Sequence, residues 1–132
     1  LELKTIELKK LMILNKAKDI NYVMGFRFNN TSFFSIWDIG NIILTKIFNI
    51  IHKSNLKDAL CCAKAFYRED ILFNKIKSTR FDIDIEIASI LIKNKKRSIT
   101  IPLQYNRRGT NEGKKLKIKD GWYILKRILD SK

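Results

Sequence analysis

Proline and histidine are nearly missing from this chain of 132 residues, which has one of each, and there are only two cysteines, two methionines and two tryptophans. A lone His52 and the adjacent Cys61 and Cys62 cannot assemble a tetrahedral metal site, which needs spaced Cys or His ligands, nor do they form a spaced redox pair. The cysteines read instead as small core residues of a reducing compartment. No run of about 18 uncharged apolar residues is present to span a bilayer. The N-terminal segment is charged throughout, unlike a secretory signal. Carboxylates are scarce as well, 13 against 27 Lys and Arg, for a formal net charge of +14. That balance points to anionic partners: nucleic acid, an acidic membrane surface or phosphorylated small molecules. Lys, Ile and Asn share A/T-rich codons, so a biased genome also raises the lysine count without any partner behind it.

What the chain does contain is a foldable composition, 45% hydrophobic and 11% aromatic. Its length suits one domain over 1–132, small for an enzyme that must hold a nucleotide and an acceptor together. The first residue is Leu1 rather than Met, from which a missing upstream segment is expected.

Thr5 is placed to cap a helix over 6–17, with Ile6, Leu11 and Leu14 near one face. Residues 19–24 read as a short apolar strand ending at Gly25, with Arg27 close behind. From 32 to 51 aromatic and aliphatic residues dominate, predicting an apolar helix or helix pair interrupted at Gly40. Such a helix is either part of the core or lies in the membrane interface over about 33–52. A strand is expected at 63–68, and Glu69 and Asp70 suit the first turn of a short helix to Ile76. The strict alternation from Phe81 to Ile87 reads by itself as a half-buried strand, with 88–96 helical after it. Residues 97–105 are β-rich, and Pro102 among them favours an edge or a strand end. A final helix over 120–130 is expected to present Trp122, Leu125, Ile128 and Leu129 on one side. No repeat, low-complexity stretch or linker interrupts the chain.

Between Lys93 and Arg127 stand 12 basic residues against only Glu112 and Asp120, so this third carries most of the net charge. Within it, Gly109 and Gly113 flank a loop bearing Arg108, Lys114 and Lys115. Glycines let backbone N–H groups approach a phosphate, arginine offers a planar fork and lysine a point charge. The bland reading is a solvated basic loop. An ATP-binding P-loop is excluded, because Gly109 stands one residue too close to Gly113-Lys114 and Lys115 replaces the Ser or Thr. Asp82-Ile-Asp84 has the form of a metal-holding carboxylate pair on a nucleotide sugar. It does not follow a buried strand, so it reads as a solvent face rather than a metal site.

Six stretches, in order, resemble the C-terminal half of family 2 glycosyltransferases of the polyprenyl-phosphate sugar transferase and dolichyl-phosphate mannose synthase kind. Val23-Met-Gly-Phe-Arg-Phe28 is similar to the family's strand ending in Gly-x-Arg-Phe, and Gly40-Asn-Ile-Ile-Leu-Thr45 to its Gly-Asn-x-x-Leu-Thr helix. Asn55 to Phe66 resembles the segment in which Leu-x-Asp precedes Cys-x-Lys-Ala-Phe. Phe81-Asp-Ile-Asp-Ile-Glu86 matches Phe-x-x-Asp/Glu-x-Glu, and Ile101-Pro-Leu-Gln-Tyr105 matches Val-Pro-x-x-Tyr. The most specific stretch runs from Tyr105 to Lys115, falling on Tyr-x-x-Arg-x-x-x-Glu-Gly-Lys-Lys without a gap, with Asp120-Gly121 after it. Arg80 and Thr100 depart from the pattern, where a Gly and an acidic residue usually stand.

The resemblance implies an α/β fold, the C-terminal half of a GT-A type, Rossmann-like domain. It implies phosphate contacts, of donor or acceptor, for Arg27, Arg108, Lys114 and Lys115, and an acceptor-side cleft lined by Asp58, Lys64 and Glu86. It also makes Asp84 and Glu86 the start of a helix, in preference to the alternating strand. The implied substrates are a nucleotide sugar and a polyprenyl phosphate, handled at the cytoplasmic face of the membrane by a peripheral protein. Catalytic residues are not identified, and no metal site is expected in this chain. The Mg or Mn ion of the complete enzyme, with its Asp-x-Asp, belongs to a missing N-terminal half, so activity of this chain alone is not expected. Two rival readings are a non-catalytic membrane- or partner-binding remnant and, less favoured, a basic nucleic-acid-binding module with Tyr105, Trp122 and Tyr123 near the basic run.

Overall fold

The computed structural model describes residues 3–28, 35–105 and 119–132. Its central strand is β1 (Tyr22–Phe28), rich in the aromatic and β-branched residues that suit a pleated, buried surface. On one side lies β2 (Lys64–Phe66), antiparallel, with Met24 opposite Lys64. On the other lies β3 (Ser98–Gln104), parallel, in register from Tyr22 opposite Ser98 to Phe28 opposite Gln104. The order β2-β1-β3 puts Pro102 on an edge strand, where its missing N–H costs no ladder bond. The chain is thus a mixed α/β structure around a small three-stranded sheet.

Strand β1 starts later than 19 because Asp19 takes a left-handed conformation, φ 55°, closing a tight turn bridged by Asn15 and Ile20. It also runs through Gly25 rather than ending there. A Cβ on Gly25 would lie 2.3 Å from Leu103 Cδ1 and 3.1 Å from the Ala63 carbonyl oxygen, so glycine is what lets both neighbouring strands close in.

Alternate β1 side chains feed two apolar clusters. Tyr22 and Met24 pack with Phe48, Ile85, Leu91, Ile124 and Ile128 from the helices on one face. Val23 packs with Leu11, Cys61, Ala63 and Leu103 beneath the N-terminal segment on the other. Cys61 is therefore a core residue as expected, whereas Cys62 is exposed.

Helix α1 (Thr5–Lys9) is far shorter than the expected 6–17, and Lys4 rather than Thr5 precedes it as the cap. Glu7 explains the early stop: it turns inward to accept the Gln104 N–H at 2.9 Å and a hydrogen bond from Lys10 Nζ at 2.8 Å. Beyond it, the Asn15 side chain accepts the Lys18 N–H and opens a separate 3-10 turn, Lys16–Lys18. Helix α2 (Ile36–His52) starts at Ser35, whose N–H and hydroxyl both donate to Asp38. It passes through Gly40 without a break; one glycine costs about 1 kcal/mol in a helix, too little to interrupt a 17-residue segment with a packed face. Phe33 and Phe34 lie outside the described residues.

Residues 68–76 form two 3-10 turns, Arg68–Asp70 and Phe73–Lys75, in place of the expected short helix. Helix α3 (Ile83–Lys93) replaces the half-buried strand suggested by alternation, in line with the family pattern. Its inward residues Ile85, Ala88 and Leu91 recur every third position, and that helical stripe decides the matter. Helix α4 (Asp120–Asp130) has the expected extent, but its inward residues are Asp120, Ile124 and Ile128, while Trp122 and Leu129 point to solvent.

Candidate functional site

The site is built at the carboxyl end of β1. Lys53, left-handed with φ 50°, ends α2 and turns the chain back along it. Three polar side chains of α2 then hold the returning loop. Asn49 accepts the Leu56 N–H at 3.0 Å and donates to the Leu56 carbonyl, Thr45 Oγ1 accepts the Ala59 N–H at 3.3 Å, and Asn41 Nδ2 donates to Asp58 at 3.1 Å. Together they press Asp58 against Arg27.

The resulting clamp is bidentate: Arg27 Nε to Asp58 Oδ2 at 2.6 Å and Nη2 to Oδ1 at 2.9 Å, with the Arg27 and Leu60 N–H groups also donating to this carboxylate. Asp58 is buried, and the Tyr105 ring lies 5.6 Å below the guanidinium. Burial alone would pull the Arg27 pKa down, but the hydrogen bonds and charge of Asp58 outweigh it and hold the pKa above its ordinary value. Arg27 is therefore a fixed, permanently charged fork whose charge is already matched. Nearby, Lys57 Nζ sits 4.5 Å from the Phe26 ring and keeps an exposed cation at the same edge of the sheet. Cys61, beside the clamp, has its thiol pushed up to about 11 by burial and the Asp58 charge, which removes it as a nucleophile near neutrality.

The structure brings together Arg27 and Asp58 but pairs the other expected cleft residues elsewhere. Lys64, its side chain 2% exposed, bonds to the Cys61 carbonyl and pairs with Asp84 Oδ1 at 3.4 Å. Glu86 faces α4 and the 77–78 backbone, accepting the Lys77 N–H at 3.0 Å and the Ser78 N–H at 2.7 Å. Asp82, expected on a solvent face, is buried, accepting from Ser78 Oγ and from Arg127 Nε, both at 2.9 Å. Burial pushes the pKa of both Asp82 and Glu86 upward, yet these donors and the Arg127 charge hold each below its ordinary value. Arg107, Arg108, Lys114 and Lys115 lie outside the described residues. Tyr105, the described residue that precedes their segment, 106–118, in sequence, follows the end of β3, which pairs in parallel with β1, and its ring lies beneath Arg27.

Asp82 and Asp84 do not fit a shared divalent cation. Asp82 is the N-cap of α3 and Asp84 lies in its first turn, and they point to different partners, one to Arg127 and the other to Lys64. Among the described residues there is no cluster of three acidic, His or Cys ligands. His52 stacks on Phe48, ring centroids 4.3 Å apart, and bonds Ser131 Oγ at 3.1 Å. Eleven residues separate it from Asn41, or about 16 Å along the helix, so it stands apart from the clamp.

Sequence reasoning missed Asn49, Thr45 and Arg127 as the groups that set this geometry. The i, i+4 spacing of Asp82 and Glu86 was the available signal for the last. No protein-family model, curated protein or solved structure matches the chain.

Proposed function

We propose that this chain is the acceptor-side half of a GT-A type glycosyltransferase that moves a sugar from a nucleotide sugar to a polyprenyl phosphate at the cytoplasmic membrane face. The observation that carries this reading is the Arg27–Asp58 clamp, placed where two parallel strands end and the basic segment 106–118 begins. Ligands of open α/β sheets bind outside the carboxyl ends of the strands. Of the motif residues separate in sequence, Asn41 bonds Asp58 of that clamp and Thr45 holds the N–H of the next residue, Ala59.

In this role Asp58 fixes the direction of the Arg27 fork, and Arg108, Lys114 and Lys115 supply the net positive charge that the matched clamp lacks. An acceptor phosphate is anionic at neutral pH and needs no strong general base; positioning two phosphates against each other carries much of the rate. The absence of a suitably placed histidine at the clamp is compatible with that chemistry. A Mg or Mn ion, which would stabilise the leaving diphosphate, belongs to the nucleotide-binding half in this reading, and that half must be supplied for turnover.

The test is phosphorus NMR of geranyl phosphate titrated with the 132-residue chain. A saturable shift, weakened about tenfold or more by Arg108→Ala and by Arg27→Lys, is expected, about 1.4 kcal/mol for each contact. No saturable shift with the unaltered chain sinks the reading. The exposed isoleucines of α2 favour a second reading, a non-catalytic membrane-binding protein, which predicts vesicle binding without any response to geranyl phosphate.

A further inference from the structure

Helices α2 and α4 lie side by side and parallel. At their amino-terminal ends Gly40, Ile43 and Leu44 face Gly121, Trp122 and Leu125 across a shallow apolar groove of about 230 Å³, and at their carboxyl ends His52 meets Ser131. A Cβ at either glycine would meet nothing within 4 Å, so the groove is open outward.

The inner side of α2 buries Thr45 and Phe48, and the inner side of α4 buries Ile124 and Ile128. On the outer side the pattern inverts the usual one for a surface helix. Ile36, Ile39, Ile43 and Ile50 are 69, 51, 51 and 77% exposed, with exposed Lys46 in the same stripe. On α4, Trp122 and Leu129 are 73 and 57% exposed, with exposed Lys126 between them. Neither stripe contains a carboxylate.

We infer that this two-helix face docks on a bilayer containing anionic lipid, the isoleucines and Trp122 entering the headgroup–acyl boundary while Lys46 and Lys126 meet lipid phosphates. Charge decides the occupant. A second copy would bring another +14 chain against this one and set its lysines near their counterparts. An anionic leaflet attracts the same lysines. Shape agrees, since parallel helices make a broad face about 26 Å long for the 17 residues of α2, and helices with interleaved Lys and apolar residues lie in the plane of the interface. Tryptophan favours that boundary, with its ring in hydrocarbon and its N–H in water. The inference rests on the peripheral-membrane part of the reading above, and adds the face and the lipid class.

The test is co-sedimentation of the 132-residue chain with phosphatidylcholine vesicles, with and without phosphatidylglycerol. Partition about tenfold or more stronger into the anionic vesicles is expected, lost in the double variant Lys46→Glu, Lys126→Glu. Ile43→Asp and Trp122→Ser should each weaken it about tenfold or more. All four side chains are exposed, so the fold should survive, as circular dichroism will report. Failure of the unaltered chain to sediment with anionic vesicles, or equal sedimentation of Ile43→Asp, overturns the inference. So does a dimer in analytical ultracentrifugation that Ile43→Asp dissolves, which would assign the face to a second copy. Geranyl phosphate titration of Ile43→Asp separates the two proposals: an unchanged phosphorus shift with lost vesicle binding locates the effect on the face, whereas vesicle binding with no phosphorus response in any variant removes the transferase and leaves the docking face.

Discussion

Two buried carboxylate–arginine arrangements sit in this small molecule, and their chemistry is the same while their positions differ. Asp58 grips Arg27 where the parallel strands end, and Asp82 with Glu86 engages Arg127 between α3 and α4. In the first, one carboxylate takes both nitrogens of a single fork, and three polar residues of α2 do nothing but hold the loop that delivers it. In the second, Glu86 and Asp82 also hold backbone and hydroxyl groups of 77–78, so the arginine is one donor among several. The carboxylates of both arrangements have further donors, so position separates them: the second is a strut joining α3 to α4, whereas the first is a candidate site because its fork, held by one acid, stands where two parallel strands end.

The comparison can be broken most directly at Asp58. Asp58→Ala strands the Arg27 guanidinium and removes the acceptor of Asn41 and the Leu60 N–H. A loss of about 3–5 kcal/mol in urea unfolding is expected. Arg127→Ala should cost less, about 1–3 kcal/mol, because Ser78 and the Lys77 N–H remain for the two carboxylates, and it should leave geranyl phosphate binding unchanged. Equal losses at the two sites would erase the distinction.

Acid sharpens it further. Asp82 and Glu86 have folded pKa values below their ordinary 3.8 and 4.5, so their contribution is complete above those values and falls away as pH drops through the folded ones. Urea midpoints measured below about pH 4.5 should decline, and the decline should be shallower in Arg127→Ala. His52, lowered by burial and by Lys93, behaves in the same sense at higher pH. Its stabilising effect is full above the ordinary 6.5 and is lost as pH falls from there toward the folded value, a slope that His52→Gln should flatten. The smallest effect is at Gly40, which touches neither arrangement: Gly40→Ala should stabilise by about 0.5–1 kcal/mol, since a helix interior favours alanine and nothing lies in the way of its Cβ. A destabilising Gly40→Ala would mean that α4 closes over Gly40 in solution.

How far these features were legible varied with the range of the forces behind them. The α2 apolar run, the Pro102 edge strand and the extent of α4 follow from local composition, and all three occur. Local pattern misled at Phe81–Ile87, where alternation imitates a strand but Ile85, Ala88 and Leu91 share one helical stripe against the core. It misled again at 6–17, because nothing nearby reveals that Glu7 will bond a backbone N–H 97 residues away. Arg27 and Asp58 were separately marked, but not as partners.

By itself the sequence determined the charge, the helices α2 and α4 and the β-rich segments that become β1 and β3, because these depend on neighbours within a turn or two. Tertiary structure decided which carboxylate meets which arginine, that Trp122 and Leu129 face outward, and that α2 and α4 run parallel with an open groove between them. Such outcomes depend on how the loop after α2 folds back and on the parallel pairing of β1 with β3, contacts between residues far apart in the chain whose energies no local window contains.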